Sequence, residues 1–411
     1  MKRRLSILPI VVLGAVAAVP LTLGNDPLKW SRSTDLHAVL SRTVPASGRS
    51  GVTPAAKAAQ EYPVHTVADP WKPGEPQLGI QIYWERDAAD PASYIWGKAV
   101  RAVDYAVSLD CNSVTISFPF YTADIDASTV GAHSTTPTPA DIGILVHEAV
   151  AAGLRVTVRP ILDEASLNPP KGWRGNITPA SLNSWFASYQ SFLEPYAKAA
   201  QQQRATSFVI GTELNSLEGD PRWPGLISAV SKDFHGQIGY DANWDNFVNK
   251  PIAIPVSDLG VDAYFPVKAP QDAPVSQLVA GWNTWLDRKT TGPLSDYIFG
   301  EAGIGAELDD YDSPGDFYAR RAVDPQTQAT WYTAVCQVAR QRQVGGVYFW
   351  NFDFDSDPAK PAAAGQAPLE FTGRPLSEQA IRACFAHPYS LAGTTPSSTT
   401  TPTTTRPTTV H

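Results

Sequence analysis

The chain has 411 residues, 43% of them hydrophobic and 18% charged, which fits a soluble globular protein with one large domain and appendages. A net charge of −8 excludes the basic excess that holds nucleic-acid phosphates or anionic membrane surfaces. Twelve Trp and fifteen Tyr supply flat amphipathic rings, suited to sugar faces as well as to cores.

Met1-Lys2-Arg3-Arg4 is a basic start, and Leu5 to Gly24 is an almost uncharged apolar run. Ala15-Val16-Ala17 has the small-x-small form of a cleavage site, so residues 1–24 read as a signal peptide. The run also approaches the roughly 20 residues that span a bilayer, so an uncleaved anchor is the alternative. Either reading predicts a secreted or extracytoplasmic protein, the second with a membrane tether. Residues 25–75 are rich in Ser, Thr, Pro, Ala and Gly and read as a linker or an arm wrapped on the domain. Residues 389–411 are dominated by Thr, Pro and Ser and read as a disordered tail.

Between these flanks, at 76–388, strands alternate with helices. Gln77 to Trp84 is a β-rich apolar run, followed by helical spacing from Tyr94 to Leu109. Ser113–Phe120 and Pro139–Ala152 form the second pair, and Arg155–Leu162 with a helix inside Ala180–Gln202 the third. Ser207–Leu214 and Trp223–Phe234 follow, then Gln237–Trp244 with no helix assigned after it. Asp258–Tyr264 precedes Val275–Asp287, Tyr297–Gly303 precedes Thr327–Arg342, and Gly346–Asn351 precedes Leu376–Cys384. Eight such units imply an α/β fold with a parallel sheet closed into a (β/α)8 TIM barrel. An open doubly wound sheet competes, but no GxGxxG follows the first strand.

The active face of such a barrel lies at the C-terminal ends of its strands. Strand four ends in Thr212-Glu213 and strand seven in Glu301-Ala302-Gly303, so two carboxyls converge on one pocket. Glycoside cleavage needs that pair: one carboxyl holds a proton for the leaving oxygen, the other attacks or stabilises the oxocarbenium-like centre. Retention requires them roughly 5–5.5 Å apart, and that separation is expected here. Tyr264, ending strand six, can hydrogen-bond a nucleophilic carboxylate. Trp350 on strand eight, Asn243 and Trp244 on strand five, Trp84 on strand one and Arg159 on strand three are further candidates for contact with sugar.

Three cysteines, Cys111, Cys336 and Cys384, leave at least one thiol unpaired and match no zinc spacing. Cys336 and Cys384 fall on the helices after strands seven and eight, whose adjacency favours a bond between them; Cys111–Cys384 is the rival. No metal or other cofactor is expected.

Six segments carry a family resemblance: Trp173-Arg-Gly175, Gly211-Thr-Glu-Leu214, Tyr240-Asp-Ala-Asn-Trp244, Asp262-Ala-Tyr-Phe265, Gly300-Glu-Ala-Gly303 and Gly345-Gly-Val-Tyr-Phe-Trp350. In this order and spacing, over about residues 77 to 386, the chain resembles glycoside hydrolase family 113, part of the large clan of retaining barrels. The resemblance implies endo-β-1,4-mannanase activity, with Glu213 as acid/base, Glu301 as nucleophile and Tyr264 as the nucleophile's partner. Thr212 stands where the wider clan has Asn, with Asn243 as the candidate replacement, and Arg159 stands where the family tends to have Lys. The expected partner is a poly- or oligosaccharide. A catalytically silent carbohydrate-binding barrel and a cell-wall-associated scaffold are the non-enzyme alternatives. A metal-dependent deacetylase would need a His/Asp cluster that seven scattered His do not supply.

Overall fold

The computed structural model describes residues 65–163, 167, 172–317 and 321–392. The expected leader, most of the linker and the tail beyond residue 392 lie outside these residues.

Eight parallel strands close into a barrel: β1 (Gln77–Tyr83), β2 (Ser113–Thr122), β3 (Arg155–Leu162), β4 (Ser207–Thr212), β5 (Gln237–Asn243), β6 (Asp258–Asp262), β7 (Tyr297–Ala302) and β8 (Gly346–Asp353). Each pairs with the next, and β1 pairs with both β2 and β8. A helix follows each strand: α1 (Ala92–Ser108), α2 (Pro139–Ala151), α3 (Leu182–Gln202), α4 (Trp223–Val230), α5 (Trp244–Asn249), α6 (Val275–Leu286), α7 (Pro325–Arg342) and α8 (Pro375–Phe385). The barrel expected from the sequence is therefore present.

Local chemistry sets the ends of these elements. Thr138 and Asp141 form a reciprocal capping box at the start of α2. Asn243 caps α5, the helix that the sequence reading missed; six residues are too few to show a helical period. Strand β4 stops at Thr212 because Glu213 turns into the left-handed region, with φ 52°. A two-residue strand, Val130–Gly131, pairs antiparallel with the end of β2.

Strand alternation sorts the barrel into two environments. One set of residues, including Ile80, Ile116, Val158, Phe208, Val261 and Phe349, is buried in the main hydrophobic cluster with helix residues such as Trp185, Trp282 and Trp331. The other set points into the barrel and is largely polar or glycine. Gln77, Gln81, Thr115, Thr157, Gly239, Asp258, Gly260, Gly300 and Tyr348 line an internal cavity of about 20 Å³, room for a single water molecule. Ser117 Oγ donates to Gln81 Oε1 (2.6 Å), and Gln81 Nε2 donates to the Gly300 carbonyl (2.6 Å).

The described chain enters and leaves at the N-terminal end of the barrel. The Val67 N–H donates to the carbonyl of Ala152, just ahead of β3, and the Trp71 ring lies 5.3 Å from the Arg155 guanidinium. After α8, the Tyr389 hydroxyl donates to the carbonyl of Val344, just ahead of β8. The described end of this segment thus packs on the barrel. Among the described residues no helix is long and apolar enough to cross a membrane.

A Cys336–Cys384 disulfide joins α7 to α8, with Cα atoms 5.6 Å apart, and Cys111 is a buried free thiol, so the Cys111–Cys384 alternative is excluded. The bond spans 48 residues, and a loop of that order restricts the unfolded chain by roughly 2–4 kcal/mol. Cys336→Ala should lower unfolding stability by that amount in denaturant titration. The oxidised wild-type protein should label at one thiol only after denaturation.

Candidate active site

Arg159 lies at the centre of the catalytic face, on β3, and is fully buried. Its Nε donates to Asp241 Oδ2 on β5 (2.5 Å), its Nη2 to both oxygens of Asp262 on β6 (2.8 Å each), and its Nη1 to Glu301 Oε1 on β7 (2.7 Å). One guanidinium thereby fixes three carboxylates on three consecutive strands, a task suited to its planar fork of donors. Burial works against the Arg159 charge, but Asp262, Glu301 and Asp241 outweigh it and hold the group protonated. Burial pushes the Asp262 carboxyl well above the usual carboxylate range and also raises Asp241; Arg159 opposes both shifts.

Two glycines make room for this array. A Cβ on Gly260 would lie 1.9 Å from Asp241 Oδ1, and one on Gly300 would lie 3.0 Å from Asp241 Oδ2. Any side chain at position 260 would drive Asp241 out of its place.

Glu301 accepts a second hydrogen bond at Oε2 from the Tyr264 hydroxyl, 2.6 Å away. Burial, then the Glu301 charge, push the Tyr264 phenol well above its usual range, so it remains a protonated donor. Glu213 is held differently. The Asn243 Nδ2 donates to its Oε1 (2.7 Å) and the Arg174 Nη1 to its Oε2 (2.8 Å). The Asn243 Oδ1 accepts from the Asp245 N–H, which fixes the amide with its nitrogen toward Glu213. The Glu213 N–H itself bonds the Asp241 carbonyl (2.8 Å), so the positive φ turns the side chain over the barrel mouth from an anchored backbone.

Both glutamates open into one cleft of about 420 Å³, which is also lined by Trp173, Arg174, Asn243, Trp244, Tyr264 and a loop carrying Asp312, Asp316 and Phe317. Among the sequence candidates, Glu213, Glu301, Tyr264, Asn243 and Trp244 therefore meet. Trp350 stands beside them, 6% exposed against Tyr83 and in a cluster with Tyr264, but does not line the cleft. Its peptide bond to Asn351 is cis.

Two expectations are corrected. Arg159 offers no donor surface to a sugar, because it is fully buried among carboxylates. Trp84, 1% exposed, packs against Phe354 with ring centroids 4.2 Å apart and is a core residue. Sequence reasoning missed the roles of Asp241, Asp262, Trp173, Arg174 and Phe317. The first four lay inside the quoted motifs; acids at the ends of strands five and six, with a basic residue on strand three, were the available signal. Among the described residues no group of three or more His, Cys, Asp or Glu is placed to hold a metal ion.

Residues 88–369 match Glycoside Hydrolase Family 113. The chain belongs to this family and is a glycoside hydrolase. No curated protein sequence matches it. Among solved structures, the fold is similar to a family 113 β-1,4-mannanase at TM-score 0.63 and 21% identity, covering 76% of this chain and 99% of that one. It is similar to the family's β-mannanase AaManA from Alicyclobacillus acidocaldarius, in complex with ManMIm, at TM-score 0.60 and 20% identity, covering 76% and 97%. A GH5_18 protein from Streptomyces cattleya, in complex with Manb1-4GlcNAc, follows at TM-score 0.50 and 12% identity, covering 76% and 80%. At these identities the structural likeness shows the fold alone, while the family assignment rests on the sequence match.

Tyr264→Phe removes one charge-directed hydrogen bond from Glu301 and should lower kcat about 10- to 100-fold with little change in unfolding stability. Arg159→Leu leaves buried carboxylates without their cation and should cost roughly 3–5 kcal/mol in denaturant titration. Arg159→Lys, with one compact head for three partners, should fall between wild type and Leu.

Proposed function

We propose that the chain is an exported, retaining endo-β-mannanase acting by double displacement, with Glu301 as nucleophile and Glu213 as acid/base. The observation that carries the reading is two glutamates in one cleft, each bonded by one arginine and one neutral donor, the arginine of Glu301 fully buried and that of Glu213 lining the cleft. Glu301 is held by a cation and a phenol, the setting of an oriented carboxylate nucleophile. Glu213 emerges from a turned backbone at the mouth, with a neutral amide on one oxygen and a cleft-lining arginine on the other.

In the first step a Glu301 oxygen forms a bond to the anomeric carbon while the glycosidic C–O bond breaks and Glu213 gives its proton to the leaving oxygen. In the second, Glu213 takes a proton from water, the water oxygen bonds to the anomeric carbon, and the Glu301 ester bond breaks. Two inversions give net retention. Tyr264 and Arg159 keep Glu301 in line through both steps.

The mannan assignment is supported by the similarity to the two family 113 structures, which are β-mannanases. Export is supported by the basic-apolar N-terminal sequence and by the Cys336–Cys384 bond, since disulfides persist in oxidising compartments.

The purified protein should release shorter oligosaccharides from β-1,4-mannan in a panel that also holds glucans, xylans and bacterial wall polysaccharides. Proton NMR of the first product should show the β-anomer; an initial α-anomer would rule out retention. Glu301→Ala should lower kcat on the order of 10⁴-fold or more while retaining sugar binding. A full-length fusion recovered from the cytosol with an intact N-terminus would overturn export.

A further inference from the structure

We propose that Trp173 is the platform for the sugar on the leaving-group side of the cleaved bond, and that the turn Gly172-Trp-Arg-Gly175 is built to hold it there. The proposal rests on the glycosidase reading above and adds a binding subsite to it.

Trp173 lines the cleft and is half-buried, yet among the described residues it belongs to neither hydrophobic cluster. Trp244 and Phe317, its aromatic counterparts in the cleft, both pack against the cluster of Tyr264 and Trp350. An indole that borders a catalytic cleft and joins neither hydrophobic cluster of the described residues is a surface available for a pyranose ring.

The turn fixes where that surface lies. A Cβ on Gly175 would come within 2.3 Å of the Trp173 ring, and one on Gly172 within 1.7 Å of the Leu167 carbonyl. Gly175 is therefore required for the ring to fold back on its own turn, and Gly172 for the close approach of the turn to Leu167. The Arg174 Nε donates to the carbonyl of Leu162 at the end of β3 (2.8 Å), and Ser216 Oγ donates to the Ile177 carbonyl (2.6 Å). Ser216 lies three residues beyond Glu213, and Arg174 bonds Glu213 directly (2.8 Å). The indole is thus carried on a turn locked to the acid/base side of the cleft.

That side determines which sugar it meets. The acid/base acts on the glycosidic oxygen and the nucleophile on the anomeric carbon, so a ring beside Glu213 lies nearest the leaving sugar. Phe317, in contact with Tyr264 at 6.5 Å between centroids, lies on the Glu301 side.

The test compares Trp173→Ala with wild type on two substrates of whichever β-linked sugar the panel identifies: an oligosaccharide, and the β-glycosyl fluoride, whose leaving group is too small to occupy this subsite. On the oligosaccharide kcat/KM should fall about 10- to 100-fold, the scale of one lost ring-stacking surface. On the fluoride it should change less than about threefold, and transfer of the glycosyl group to an added sugar acceptor should drop. Gly175→Ala, which keeps the indole but displaces it, should show the same selective loss, and Trp173→Phe should recover part of it. Activity on the fluoride doubles as the folding control. Equal losses on both substrates, or no loss on the oligosaccharide, would overturn the platform while leaving the glycosidase reading intact. A wild-type protein that cleaves no β-glycoside would overturn both.

Discussion

The catalytic face depends on one buried cation shared by three strands. Arg159 reaches from β3 to carboxylates on β5, β6 and β7, and so sets the spacing of the strand ends that form the cleft floor. Buried ion clusters of this kind contribute little net stability, because removing the charges from water costs about as much as their attraction returns. Their contribution here is positional. A guanidinium has fixed donor directions, so each carboxylate it holds has a defined direction too. Glu301 takes its orientation from that constraint together with Tyr264. Glu213 takes its own from a backbone bond to Asp241, whose side chain is gripped by the same arginine.

The rest of the barrel accommodates this array. In many barrels branched aliphatic side chains fill the interior. Here glycines and hydrogen-bonded polar groups do so, while the aliphatic and aromatic mass lies between strands and helices. The arrangement leaves space beside Asp241 at Gly260 and Gly300, and it satisfies polar groups that would be costly if buried alone. A second buried arginine, Arg155, stands two strand alternations below Arg159 on β3. Its Nη atoms donate to Thr157, Gln237 and Asp258, so one strand carries a cation at each end of the barrel.

The fold was legible because buried parallel strands are written as apolar runs between helical spacings, and eight of them leave few topologies. The two glutamates were legible because each follows such a run. What the sequence concealed was partnership. Arg159 reads the same along the chain whether it faces a sugar or three carboxylates, and only the closure of the barrel brings Asp241 and Asp262 to it. Trp84 ends a strand just as Trp350 does, but the neighbouring Phe354 covers its ring. The positive φ of Glu213 could not be read either, since a glutamate gives no sign of a backbone region usually left to glycine. Trp173 and Arg174 were visible as a motif, but their relation to Glu213 comes from a turn folding back across the end of β3.

Both ends of the described chain pack on the rim opposite the cleft, near Ala152 and Val344. The barrel therefore has a mounting side and a working side, separated by the full length of its strands. The described chain thus enters and leaves without covering the cleft mouth.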